Sequence, residues 1–247
     1  MTDSLNNPPQ VGSKLRHQIL QMPKAIQAAS GIAIYGRVIR SLIFSTDLAI
    51  IKNCDADAVF AVYPFTPQQA ISKAIIEASS VPVFCGCGGG TTKGVRTVSL
   101  AKDVESQGAL AVVLNAPITN LNLRTVTQNI DIPTVITVVN PDTDIDARIR
   151  NGAAMINVAG GKNTAQIVAK IRHSYPELPI IASGGKSEEN IQKTIQAGAN
   201  AIVYTPPTSA ELFSSMMDTY REPAVKRPIG VAIHHRIKTN LKKHLRK

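Results

Sequence analysis

Residues 178–207 read LPIIASGGKSEENIQKTIQAGANAIVYTPP. An apolar run through Ile180, Ile181 and Ala182 ends in Ser183-Gly184-Gly185-Lys186. Ser187-Glu188-Glu189 then opens a segment with helical spacing: a hydroxyl suits the cap position, and acids suit the positive end of the helix dipole. Gly198-Ala199 closes that segment, and a second apolar run, Ala201 to Tyr204, follows at once. Strand, glycine turn, helix and strand are all legible in one short stretch.

The same alternation extends backward to residue 38. The apolar runs are VIRSLIF (38–44), AVFAVYP (58–64), VPVFCGC (81–87), ALAVVLN (109–115), IPTVITVV (132–139), AMINVAG (154–160), LPIIASG (178–184) and AIVYTPP (201–207). They are apolar on both faces rather than alternating, as expected of parallel strands covered on both sides. Eight such units with short connections predict a single α/β domain, a closed (β/α)8 TIM barrel. A repeat supports it. Gly108-Ala109, Gly152-Ala153 and Gly198-Ala199 open alternate strands, and Val81-Pro82, Ile132-Pro133 and Leu178-Pro179 open the strands between them. Asp55-Ala56-Asp57-Ala58 stands where a fourth Gly-Ala would fall. Helix caps that want glycine and strand starts that tolerate proline also account for the pattern.

Around this core, residues 1–11 read as a loose N-terminus and residues 12–222 as the barrel with an N-terminal helix, drawn from KLRHQILQMPKAIQAA, closing its bottom. Residues 223–247 read as a basic tail. Most of the net charge of +10 belongs to that tail: it carries eight of the 27 basic residues and no acid. Ile233, Ile237, Leu241 and Leu245 recur there at helical spacing. A solvated or oligomer-docking helix is one reading of it, and binding of a polyanion such as nucleic acid or an anionic membrane surface is the other. With 44% hydrophobic and 18% charged residues the composition is that of a globular protein. No secretory signal, transmembrane run or disulfide framework is visible, and the three cysteines fit a reducing, cytoplasmic setting.

A barrel of this kind builds its site from the loops after the strands. The first such loop supplies Ser45, Thr46 and Asp47, and the second Tyr63, Phe65 and Thr66. The third is Gly88-Gly89-Gly90-Thr91-Thr92-Lys93. Asn115 ends the fourth strand, and Asn140, Asp142 and Asp144 follow the fifth. Gly160-Gly161-Lys162 follows the sixth. A glycine turn at a helix N-terminus exposes unpaired N–H donors to an anion. Ser183, Gly184 and Gly185, with Thr205 and Thr208 from the eighth loop and Gly160 and Gly161 from the sixth, are therefore the expected phosphate site. Asp47 is the candidate acid/base; Lys93, Lys162 and Asn115 are candidates to polarise or orient a substrate. Each has a plain structural alternative: a helix cap for Asp47 and Ser187, a tight turn for the glycines, solvated tips for the lysines. Residues 86–94, with five glycines, read as a second anion cradle, a lid, or a flexible loop.

The segment IIASGGKSEENIQKTIQAGANAIVYTPP resembles the closing two units of the aldolase-type, phosphate-binding barrels, which include thiazole synthase, indole-glycerol-phosphate synthase and the flavin-dependent nitronate monooxygenases. The resemblance implies a phosphate held at Ser183, Gly184, Gly185 and Thr205. The chain is also similar to small barrel proteins known only as hydrolases. Schiff-base members of the superfamily carry their lysine on the sixth strand, whereas Lys162 sits beyond two glycines in the loop, which favours an anion contact over a covalent role. The reading that follows is an enzyme acting on a small phosphorylated metabolite, of lyase, isomerase or synthase type. The alternatives are an FMN-dependent oxidoreductase, with FMN as cofactor, a hydrolase, and a non-catalytic phosphometabolite-binding protein. No histidine falls at a strand end, and Cys85-x-Cys87 lacks a second pair, so no metal site or Ser-His-Asp triad is expected. Having no tryptophan and only 4% aromatics predicts few stacking platforms.

Overall fold

In the computed structural model, which describes residue 11 and residues 19–221, ten strands and eight α-helices follow one another. In chain order these are β1 (Ile32–Ile34), β2 (Arg37–Ile39), β3 (Ser41–Phe44), α1 (Leu48–Lys52), β4 (Ala58–Ala61), α2 (Gln69–Ala78), β5 (Val83–Gly88), α3 (Val95–Ser106) and β6 (Ala111–Leu114). The order continues with α4 (Asn120–Thr127), β7 (Thr134–Val138), α5 (Ile145–Arg150), β8 (Met155–Val158), α6 (Thr164–Ser174), β9 (Ile180–Ser183), α7 (Glu188–Gln196), β10 (Ala201–Tyr204) and α8 (Ser209–Arg221). Strands β3 to β10 pair in parallel in chain order, and β10 returns to β3, closing the barrel. Each of the eight apolar runs read from the sequence supplies one barrel strand.

The strands are so uniformly apolar because both faces are buried. Leu42, Ala58, Phe60, Phe84, Val113, Val135, Met155, Ile181 and Val203 fill the interior. Their neighbours Ile43, Val59, Cys85, Val112, Ile136, Ile156 and Ile202 pack under the helices. Cys85 and Cys87 both belong to this outer layer, where burial pushes the Cys85 thiol up to about 12 and raises Cys87 well above the ordinary thiol value. That suppresses the thiolate and with it reactivity. The alternating strand openings also have a reason. Pro82, Pro133 and Pro179 need no N–H there, and their carbonyls accept from Val59, Val112 and Ile156 of the preceding strand at 2.8–3.1 Å. At the Asp-Ala opening, Asp57 Oδ2 accepts from the Arg40 and Ser41 amides, both at 2.9 Å, and ties β3 to β4.

The segment before the barrel departs from the expected N-terminal helix. Residues 12–18 lie outside the described part, Lys24–Ala28 form a single 3₁₀ segment, and Ile32–Ile39 form an antiparallel hairpin. The β-branched residues at 32, 34, 38 and 39 favour strand. Tyr35 (φ 47°) and Gly36 (φ 77°) make the two-residue turn whose twist suits a hairpin. Ile32, Ile34 and Ile39 join the barrel's interior cluster, and the Gly31 amide donates to Asn200 O just before β10. Among the described residues, a hairpin plugs the bottom.

The chain divides into two compact units, Met1–Pro206 and Pro207–Lys247. In the second, Thr208 and Glu211 cap α8 reciprocally: Thr208 N and Oγ1 donate to Glu211 Oε2 (2.7 and 2.9 Å), and Glu211 N donates to Thr208 Oγ1 (3.1 Å). The basic tail read from residues 223–247, with its polyanion-binding and oligomer-docking alternatives, lies outside the described residues. Among the described residues no helix is long and apolar enough to cross a membrane.

Candidate functional site

At the C-terminal ends of β3 to β6 the barrel opens into a cleft of about 650 Å³. Its walls are aromatic on one side, with Phe44, Tyr63 and Phe65, and bare backbone on the other, along Gly88, Gly89 and Gly90; Asn115 lies at its edge. The glycine wall has a fixed shape. Gly89 and Thr92 exchange backbone hydrogen bonds (3.0 and 3.2 Å), Gly90 N donates to Pro117 O (3.0 Å), and Thr97 Oγ1 ties down Thr92 O (3.0 Å). Gly89 is at φ +106°, and a Cβ there would collide with the Asn115 carbonyl. The glycines thus let the third loop lie flat against the end of β6. The amides of Gly89, Gly90 and Thr92 are spent within the protein, and Gly94 N donates to Asn122 Oδ1 (3.3 Å). These bonds take up the amides of Gly89, Gly90, Thr92 and Gly94 that the anion cradle read from residues 86–94 would use.

Below the cleft, three polar side chains interrupt the apolar interior. Asn115, Thr137 and Asn157 are the inward residues next above Val113, Val135 and Met155, since alternate strand residues share a face. Thr137 Oγ1 donates to Asn115 Oδ1 (3.1 Å) and accepts from Asn157 Nδ2 (3.2 Å). Asn157 Oδ1 is buried and has no hydrogen-bond partner. With its oxygen turned to Thr137, Asn115 leaves its Nδ2 donors for an incoming oxygen.

The other residues singled out from the sequence are placed as follows. Asp47 caps α1, accepting from the amides of Ala49 (2.8 Å) and Ile50 (3.4 Å). Lys93 and Lys162 are exposed, in the loops after β5 and β8, as is Lys186 after β9. Asp142 and Asp144 lie before α5; Asp144 caps it, and Asp142 faces Lys170 at 3.5 Å. Gly160 N donates to Thr164 Oγ1 (3.1 Å), and Gly161 opens the short 3₁₀ segment Gly161–Asn163.

Ser183 ends β9, Thr205 directly follows the adjacent β10, and Gly185, at φ +71°, is exposed. Gly184 is buried; its amide donates to Val203 O (3.3 Å), and a Cβ there would meet Ile202 Cγ2 at 2.7 Å. Ser187 caps α7, and Glu188 and Glu189 occupy its first turn, so carboxylates already complement that helix end. Thr208 belongs to the second unit, as the cap of α8. The structure therefore brings Asn115 into the cleft, sets Ser183, Gly185 and Thr205 on neighbouring strand ends, and gives Asp47 and Gly184 structural partners.

Sequence reasoning passed over Thr137, Asn157 and Phe44 because they lie inside apolar runs rather than in loops. The available signal was parity: in TVITVV and MINVAG a polar residue occupies an inward position. Aromatic content was also a poor guide. Four of the five phenylalanines, Phe44, Phe60, Phe65 and Phe84, gather at or beneath this one cleft, with ring centroids 6.4 Å apart for Phe44–Phe60 and 6.5 Å for Phe60–Phe84. Among the described residues no three His, Cys, Asp or Glu side chains converge as a metal site.

No family model and no curated protein matches the chain. Solved structures do. A provisionally assigned phosphonomutase from Burkholderia cenocepacia J2315 superposes with TM-score 0.58 at 12% identity, over 74% of this chain and 92% of that one. A phosphonopyruvate hydrolase in complex with oxalate and Mg²⁺ gives 0.55 at 11% identity, over 83% and 91%. The 4-hydroxy-tetrahydrodipicolinate synthase of Methylacidiphilum fumariolicum SolV gives 0.55 at 14% identity, over 74% and 73%. At these identities the likeness is one of fold: the chain is a (β/α)8 TIM barrel.

Proposed function

We propose that this barrel is an enzyme, of lyase, isomerase or synthase type, acting on a small anionic metabolite, phosphorylated or carboxylated, bound in the cleft over β3 to β6. The observation that carries the reading is the polar column Asn115–Thr137–Asn157. Stability alone does not ask for amides in a barrel interior, and an acceptor buried without a partner costs about 1–3 kcal/mol. Such a cost is tolerated where a site needs polar groups held in place. Asn115 takes a substrate oxygen through Nδ2, and its own oxygen is fixed by Thr137. Lys93 and Lys162, exposed in the loops after β5 and β8, supply positive charge for an anion. The structural neighbours named for a phosphonate substrate and a bound oxalate lend support by analogy of fold. In this reading Ser183, Gly185 and Thr205 hold a terminal phosphate.

Asp47 is the acid/base group in this reading. Asp47→Asn tests that role cleanly, because asparagine caps a helix about as well as aspartate. Turnover lost with stability kept supports it; turnover kept removes it.

The site itself is tested by thermal unfolding against inorganic phosphate, oxalate, FMN, and triose and pentose phosphates, in the wild type and Asn115→Ala. A ligand at about 100 times its dissociation constant adds about 2.7 kcal/mol. The expected result is a raised midpoint with at least one anion, with the rise lost in Asn115→Ala. No rise with any of them refutes the proposal. A rise with FMN alone replaces it with an FMN-dependent oxidoreductase.

A second reading, a metabolite-binding protein without turnover, is favoured by the cleft's lining. Among the described residues its one titratable side chain is Tyr63, whose hydroxyl accepts from Gln68 N at 2.8 Å. Ligand-induced stabilisation together with unaltered ligand after prolonged incubation selects that reading.

A further inference from the structure

The anion reading explains the polar edge of the cleft but leaves its aromatic wall without a purpose. Phe44 is 37% exposed and Phe65 74% exposed, both toward the same concavity. Phe44 is the top of a buried aromatic line, tilted 39° against Phe60, which in turn stacks on Phe84. Its ring therefore packs against Phe60 while part of it stays open to the cleft. Across the cleft, Gly88, Gly89 and Gly90 expose backbone with no side chain, in a turn locked by its own hydrogen bonds. A smooth backbone wall together with aromatic rings accepts a flat group, and a volume of about 650 Å³ has room for one. Aromatic faces gain from offset stacking with a planar π-system beyond what area burial alone gives.

We infer that the substrate of this site carries a planar, unsaturated ring. The ring lodges between Phe44 and Phe65 on one side and the Gly88–Gly90 turn on the other, and a carboxylate or carbonyl attached to it is taken by Asn115 Nδ2. The inference rests on the reading of this cleft as the ligand site and narrows its substrate class.

Calorimetric titration of the full chain compares benzoate and benzamide with their saturated counterparts, cyclohexanecarboxylate and cyclohexanecarboxamide. Each is run on the wild type, Phe44→Leu, Phe65→Leu and Asn115→Ala. The unsaturated probes are expected to bind about threefold to tenfold more tightly than the saturated ones. Phe44→Leu should bring that ratio close to one, and Asn115→Ala should weaken both kinds alike. Phe65→Leu, at a largely exposed position, should lower the ratio too, and it serves if Phe44→Leu fails to fold. A ratio near one in the wild type overturns the inference. So does failure of all four probes to bind while an anion still raises the unfolding midpoint in an Asn115-dependent way, in which case the ligand site stands without the ring. If neither probes nor anions respond, both readings fall together.

Discussion

Replacing Asn157 with leucine should make this protein more stable, because the side chain is retained against its own folding cost. Asn157 is 3% exposed inside the barrel; its Nδ2 donates to Thr137 at 3.2 Å, and its Oδ1 has no partner. Asn157→Leu loses one neutral side-chain hydrogen bond, about 1 kcal/mol. It relieves an unpaired buried acceptor, about 1–3 kcal/mol, and exchanges a buried amide for methyl groups of similar volume. Thr137 keeps its bond to Asn115 Oδ1, so no new orphan donor appears. The net expectation is a gain of about 2 kcal/mol, which for a domain of this size raises the midpoint by about 4–8 °C. Urea unfolding at neutral pH measures it, with an unchanged m-value showing that the two states are the same ones. The gain should come with loss of ligand-induced stabilisation, because Thr137 and Asn115 would no longer be held from below. A loss of more than about 1 kcal/mol would refute the reasoning: Asn157 Oδ1 would then have a partner in solution, an internal water being the physical candidate.

Two further outcomes follow from the same structure. Gly89→Ala places a Cβ against the Asn115 carbonyl at φ +106° and should cost at least about 2–3 kcal/mol and abolish ligand response, whereas Gly90→Ala, at φ +62° with open space around it, should cost about 1 kcal/mol and keep the response; paired urea melts with and without ligand decide it. Cys85 is raised by burial from 9.0 to about 12, so the folded state holds a proton that the unfolded chain has already released. Its contribution is complete below pH 9 and is lost as pH rises toward 12, and Cys85→Val should flatten that part of the decline from about pH 9 to about pH 10.5 in urea midpoints.

The amino-acid sequence determined the barrel. Its eight runs are apolar on both faces, and only a parallel sheet covered inside and out buries both. The Gly-Ala and Pro openings mark where each strand starts, because caps and ladder carbonyls are local requirements. Local too are the helix starts at Asp47, Asp144, Ser187 and Thr208, where a side-chain oxygen reaches an amide two or three residues on. That same locality gives some site candidates a structural role of their own. Residues that look chemical at a strand end, such as Asp47 and Gly184, have nearby structural work to do.

The bottom plug was readable in part, since Ile32, Ile34 and Ile39 carry a strand period and Tyr35-Gly36 a turn. Their burial, however, depends on the barrel mouth they fill. What only the tertiary structure decided is the convergence. Asn115, Thr137 and Asn157 are twenty or so residues apart in neighbouring units and become one column because parallel pairing in register stacks inward positions side by side. Phe44, Phe60 and Phe84 come into line in the same way, one from each of three successive strands. Period and propensity act over a turn of helix or a few strand residues. The register that closes eight strands into a ring belongs to the whole chain, and it brought the sparse aromatics and the interior amides to one cleft.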